Sequence, residues 1–184
     1  MYLLSRLILK LWGWKTTGED DIRHLPKKLF AVVPHTSNWD FLLGILVRHS
    51  CRLRTYYLGK KSLFRFPYGI IFRSLGGYPV DRSQHNNLVD AIVDLFNRHE
   101  TFGVTIAPEG TRKKVTSLKT GFYYIALRAQ IPIILTKFDG QNKIVEFSKP
   151  FWPTGQIEKD MAIIESHFDG ILGIVPENSF FAQQ

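Results

Sequence analysis

Leu29-Phe30-Ala31-Val32-Val33-Pro34-His35-Thr36-Ser37-Asn38-Trp39-Asp40 is the stretch from which the fold is read. Five consecutive apolar residues, ended by a proline, have the length and β-branched content of a strand buried on both faces. The polar turn that follows runs directly into Trp39–Val47, where apolar residues recur at helical spacing. A buried strand feeding a helix is the repeating step of an α/β fold.

The same alternation extends outward. Leu53–Leu58, Tyr78–Val80 and Gly103–Ala107 read as strands. Between them, 62–74 reads as a helix interrupted near Pro67 and Gly69. Asn87–His99 shows helical spacing through Leu88, Ile92, Leu95 and Phe96. Gly121–Ala129 follows as a helix, and 133–138 and 143–147 form strands about an Asp139-Gly140 turn. After a Pro-rich loop at 150–153, a last helix presents Ile157, Met161, Ile164 and Phe168 on one side. The expectation is an α/β sandwich with a mixed central sheet flanked by helices. It is divided into an amphipathic N-terminal helix over 1–16 and a single domain over 17–184.

In such folds reactive groups occupy the loops beyond strand ends, and two loops here carry chemistry. The first holds His35 and Asp40. Five positions along an α-helix rotate a side chain by about 500°, so the two cannot meet if both lie on the helix. They meet if His35 lies in the preceding turn and Asp40 in the first helical turn. Ser37-Asn38-Trp39-Asp40 fits a capping box that provides for this, with Ser37 as N-cap. A carboxylate against an imidazole fixes its tautomer and makes it a general base. No serine or cysteine nearby reads as an activated nucleophile: Ser37 is a cap, and Cys51, the single cysteine, reads as a buried thiol.

The second loop is Pro108-Glu109-Gly110-Thr111-Arg112-Lys113-Lys114. Gly110 permits a tight turn and close backbone approach to a ligand. Arg112 can grip a phosphate through two N–H groups, and Thr111 can add a hydroxyl. Glu109 would orient a cation or the loop itself. Arg82, after the short strand 78–80, is a second candidate phosphate ligand.

The 184 residues are 45% hydrophobic, enough for one sizeable core, and carry a formal net charge of +8. Phe41–Val80 contains no acidic residue, while Arg48, Arg52, Arg54, Lys60, Lys61, Arg65 and Arg73 alternate with bulky apolar side chains. That mixture suits an anionic bilayer surface better than a nucleic-acid backbone. No helix-turn-helix, finger or RNA-recognition signature accompanies it, so nucleic acid is not an expected partner. Tyr2–Trp14 is strongly apolar, with Ser5, Arg6, Lys10 and Gly13 gathered on one side of a helical wheel. It is too short to span a bilayer and has no leader-type cleavage site, so it reads as a helix lying in the membrane plane. A peripheral or monotopic protein on the cytoplasmic face of a membrane is expected.

Four segments in order, His35 to Asp40, Gly77-Tyr78-Pro79-Val80-Asp81-Arg82, Pro108 to Arg112, and Ile131-Pro132-Ile133-Ile134-Leu135, resemble the motifs of the glycerolipid acyltransferase family typified by 1-acylglycerol-3-phosphate O-acyltransferases. The resemblance implies that His35 deprotonates an acceptor hydroxyl while Asp40 orients it. The hydroxyl then attacks the thioester of acyl-CoA or acyl carrier protein directly. Arg82 and the loop Glu109, Gly110, Thr111 and Arg112 would hold the acceptor's phosphate. It implies no metal and no other cofactor. The pattern departs from the family at Pro34, where an Asn is usual, and at Lys113-Lys114, where a Ser often follows. These departures leave the acceptor open between a lyso-phosphatidate, the first expectation, and a lyso-ornithine or lyso-glycine lipid. A non-catalytic lipid-binding adaptor on the same fold is the competing reading; it has no use for a paired His35 and Asp40.

Overall fold

The computed structural model describes residues 1–80 and 85–182. Arg82, the expected second phosphate ligand, lies outside them. Seven strands form one sheet: β1 Lys15–Thr17, β2 Lys27–Val33, β3 Tyr56–Lys60, β4 Gly77–Val80, β5 Phe102–Ile106, β6 Ile133–Asp139 and β7 Ile144–Phe147. Their spatial order is β1-β7-β6-β2-β5-β3-β4. The strands from β6 to β4 are mutually parallel. β7 returns antiparallel to β6, and β1 runs parallel to β7. The sheet is therefore mixed.

The helices are α1 Tyr2–Trp12, α2 Asp20–Arg23, α3 Trp39–Ser50, α4 Gly69–Ser74, α5 His85–Arg98, α6 Gly121–Ala129 and α7 Ile157–Phe168. Alternate residues of β2 sort them into two layers, because side chains of a strand point to opposite faces in turn. Leu29, Ala31 and Val33 pack with Ile92 and Phe96 of α5, Phe122 and Ile125 of α6, and Ile164 and Phe168 of α7. Phe30 and Val32 face the other way, onto Leu43, Leu46 and Val47 of α3 and Leu9 of α1. The strand is sealed on both sides, which is why its sequence is an unbroken apolar run.

The sequence expectations shift at several ends. α3 continues three residues past Val47, and Arg52 in the left-handed region (φ 53°) closes it, with Leu53 N–H donating to Arg48 O. β3 consequently starts at Tyr56 rather than Leu53. The helix expected over 62–74 is broken where foreseen, into a 3-10 turn at Lys61–Phe64 and α4. Gly69 is required there, because a Cβ would collide with the Phe64 carbonyl.

The N-terminal helix is not a separate appendage. Leu9 and Trp14 are buried in the same cluster as α3, and β1 joins the sheet from Lys15. α1 docks through Ser5 and Leu9, and Ser5 is small enough to let the helices approach. Leu3, Leu4, Leu7 and Leu11 face outward, Leu3 at 76% and Leu11 at 79% exposed. No described helix is long and apolar enough to cross a membrane.

Candidate active site

β2 and β5 are adjacent and parallel, with Ala31 opposite Ile106, so the loops that follow them emerge side by side. The helix after β2, α3, covers one face of the sheet and the helix after β5, α6, covers the other. Chains that diverge to opposite faces leave a crevice between their loops.

His35 lies in the turn after β2, and Asp40 is the second residue of α3. The His35 ring places Nδ1 3.1 Å from Asp40 Oδ2. The same oxygen accepts the backbone N–H groups of Thr36 at 2.7 Å and Ser37 at 2.8 Å. Ser37 Oγ accepts Trp39 N–H at 3.2 Å. Asp40 Oδ2 accepting Ser37 N–H is one half of the expected capping box; the other half is not formed, because Ser37 Oγ takes Trp39 N–H rather than Asp40 N–H, and the helix starts at Trp39 with Asn38, not Ser37, as its N-cap. An ionised carboxylate only accepts, so the neutral imidazole that fits this contact carries its proton on Nδ1 and its lone pair on Nε2. The Asp40 side chain is 2% exposed and that of His35 21%, so the carboxylate is sealed behind an imidazole that reaches the opening.

Glu109 holds the same loop from the other side. Its Oε2 accepts His35 N–H at 2.6 Å, and the residue is 2% exposed. Of the roles read from sequence, substrate contact or orienter of the loop itself, this bond fits the second: Glu109 is enclosed beneath the His35 turn and is absent from the cavity wall. Burial, reinforced by the nearby Asp40 charge, pushes its carboxyl up from 4.5 to about 7, against the lowering effect of the His35 N–H.

The crevice is a cavity of about 1290 Å³. Apolar residues from both sheet faces line its interior, among them Ile45, Leu58, Leu88, Ile92 and Phe122. Gly110, Thr111, Arg112, Lys113 and Lys119 line it too and are exposed, so they mark its mouth. Gly110 adopts φ 66°, the left-handed turn its position suggested. Thr111 Oγ1 accepts Lys113 N–H at 3.3 Å, and Lys119 N–H donates to Pro108 O at 3.0 Å, which draws the basic loop into one rim. Among the described residues, no group of three or more His, Cys, Asp or Glu is placed to hold a metal ion.

Three further residues of the site have roles that no sequence motif announces. Lys119 reaches the rim only because the loop folds back over Gly110. Arg48 lines the cavity from α3. Thr36, 3% exposed, is held by the far end of the chain: its Oγ1 accepts Val175 N–H at 3.1 Å. Cys51 is a buried free thiol whose burial pushes it above its ordinary range, as suits an inert packing residue.

A family model described as Acyltransferase matches residues 14–135, a span that contains both site loops. The chain belongs to the acyltransferase family. Human 1-acyl-sn-glycerol-3-phosphate acyltransferase beta is 29% identical to this chain over 103 residues. That stretch takes in 53% of this chain and 37% of the human protein, so the chain spans well under half of this relative's length.

Proposed function

We propose that the protein transfers a fatty acyl group from a CoA or carrier-protein thioester to a hydroxyl of a lyso-phospholipid. 1-Acylglycerol-3-phosphate is the first candidate acceptor, and phosphatidic acid would be the product. The observation that carries the reading is the Asp40-supported imidazole at the lip of a large, mainly apolar cavity. His35 Nε2 takes the proton from the acceptor hydroxyl as its oxygen attacks the thioester carbonyl. The new C–O bond forms, the tetrahedral intermediate collapses, the C–S bond breaks, and the thiol leaves with the proton held by His35. Asp40 stabilises the imidazolium in between. Glu109 acts through the backbone of His35, fixing the height of the ring over the cavity.

Arg112, with Thr111 and its lysine neighbours, binds the acceptor phosphate at the rim. No ion pair engages Arg112 among the described residues, so its donors are free for an anion. The acyl chains occupy the apolar interior. The outward leucines of α1 and the exposed Phe66, Tyr68, Ile70 and Ile71 around α4 rest on the bilayer that supplies the lipid, with neighbouring basic residues meeting anionic headgroups. The proposed setting is peripheral association with a membrane, on its cytoplasmic face.

Incubation of purified protein with acyl-CoA and a panel of lyso-lipids, with release of free thiol as the signal, tests the proposal. Acceptor-dependent thiol release is expected with lyso-phosphatidate. No release with any acceptor or either donor carrier would leave the non-catalytic lipid-binding reading in its place.

A further inference from the structure

Asp40, Gly44 and Arg48 follow one another at four-residue steps along α3, and all three line the cavity. At 1.5 Å per residue, Arg48 stands about 12 Å along the helix from Asp40. It is half-buried, whereas the Thr111–Lys113 rim is exposed. Its Nε is sealed from solvent without a hydrogen-bond partner. No carboxylate pairs with its guanidinium among the described residues. The group is nonetheless held in place. Cζ lies 5.8 Å from the Tyr56 ring centroid. The Gly76 backbone approaches so closely that a Cβ there would stand 2.8 Å from Cζ. Tyr57, whose hydroxyl donates to Phe72 O at 3.1 Å, and Thr55 complete this end of the wall.

A guanidinium whose Nε is sealed from water with no hydrogen-bond partner and no counter-charge is unfavourable unless a bound anion completes it. The carbonyl end of α3 offers only a weak substitute. We propose that Arg48 forms a phosphate-binding subsite at the inner end of the cavity, separate from the Thr111–Arg112 rim. This rests on the acyltransferase reading, which brings two phosphate-bearing substrates to the cavity. In a lyso-phosphatidate the phosphate is only a few bonds from the reacting hydroxyl. In a CoA or carrier-protein thioester it stands at the end of the long pantetheine arm. The distance along α3 favours the second.

Equilibrium titration reads the subsite without relying on turnover, so it stands apart from the assay of acyl transfer. CoA and phosphate-free pantetheine form one pair of probes; lyso-phosphatidate and monoacylglycerol form the other. Wild-type protein is expected to prefer CoA over pantetheine, and Arg48→Met to lose that preference by roughly tenfold or more. Arg48→Lys, which keeps a point charge and secures the test if the Met variant does not fold, should lose part of it. Loss confined to the lyso-phosphatidate pair would assign the subsite to the acceptor instead. Unchanged preferences in both pairs, with only the melting temperature altered, would overturn the proposal and leave Arg48 a packing residue.

Discussion

The backbone N–H of His35 and the carboxylate of Glu109 are joined by a 2.6 Å hydrogen bond across 74 residues of sequence. The bond ties the loop after β2 to the loop after β5, so the imidazole and the basic rim are positioned by one another. Glu109→Ala should leave a buried N–H unpaired, costing about 1–3 kcal/mol of stability. It should also lower kcat more than it raises KM for the acceptor, since it displaces the base rather than a substrate contact. Glu109→Gln, whose amide oxygen can still accept, should restore much of kcat. A rise in KM alone would return Glu109 to the role of substrate ligand.

Glu109 also sets a pH dependence. Its carboxyl is raised in the folded protein from an ordinary 4.5 to about 7. Between those values the folded state holds a proton that the unfolded state has lost, so stability falls as pH rises through that window and levels off above about 7. Urea unfolding midpoints measured from pH 4.5 to 8 should show this decline, and Glu109→Gln should flatten it.

Asp40 Oδ2 gathers His35 Nδ1 and two backbone N–H groups. Asp40→Asn should reduce kcat by roughly 100- to 10,000-fold, because an amide cannot hold the imidazolium as a carboxylate does. Asp40→Ala should add a stability loss of about 1–3 kcal/mol from the abandoned N–H groups. Steady-state kinetics with parallel thermal melts separates the two effects.

The two sides of α1 should respond differently. Leu7 and Leu11 are exposed, so Leu7→Gln with Leu11→Gln should weaken flotation with anionic liposomes while stability stays within about 0.5 kcal/mol. Leu9, 4% exposed and packed among α3 side chains, should cost roughly 2–4 kcal/mol when cut to Ala. Equal flotation of the double variant and wild type would deny α1 a role at the bilayer.

What was legible in the sequence follows from how local each signal is. The run 29–33 announced β2, and the spacing at 121–129 gave α6 to the residue, because burial periodicity is written in neighbouring positions. The short strand β1 and the helix α2 left no trace: three residues, Lys15–Thr17, pair with β7 only because the chain brings Ile144 alongside. The His35–Asp40 pair was readable because a tight turn, closed by Asp40 on the Thr36 and Ser37 N–H groups, brings the two together within six residues. The Glu109 contact was not, because its partner is a backbone N–H on another strand's loop. The same holds for Thr36, whose hydroxyl depends on Val175, and for Arg48, which reads as one more basic residue until the cavity is seen beside it.

The central claim is that His35 is the base, and the direct measurement is the rate of acyl transfer from acyl-CoA to lyso-phosphatidate by His35→Ala beside wild type, with circular dichroism establishing that both are folded. If His35 is the base, kcat falls roughly 100-fold or more in the variant. A folded His35→Ala variant that turns over at the wild-type rate would contradict it.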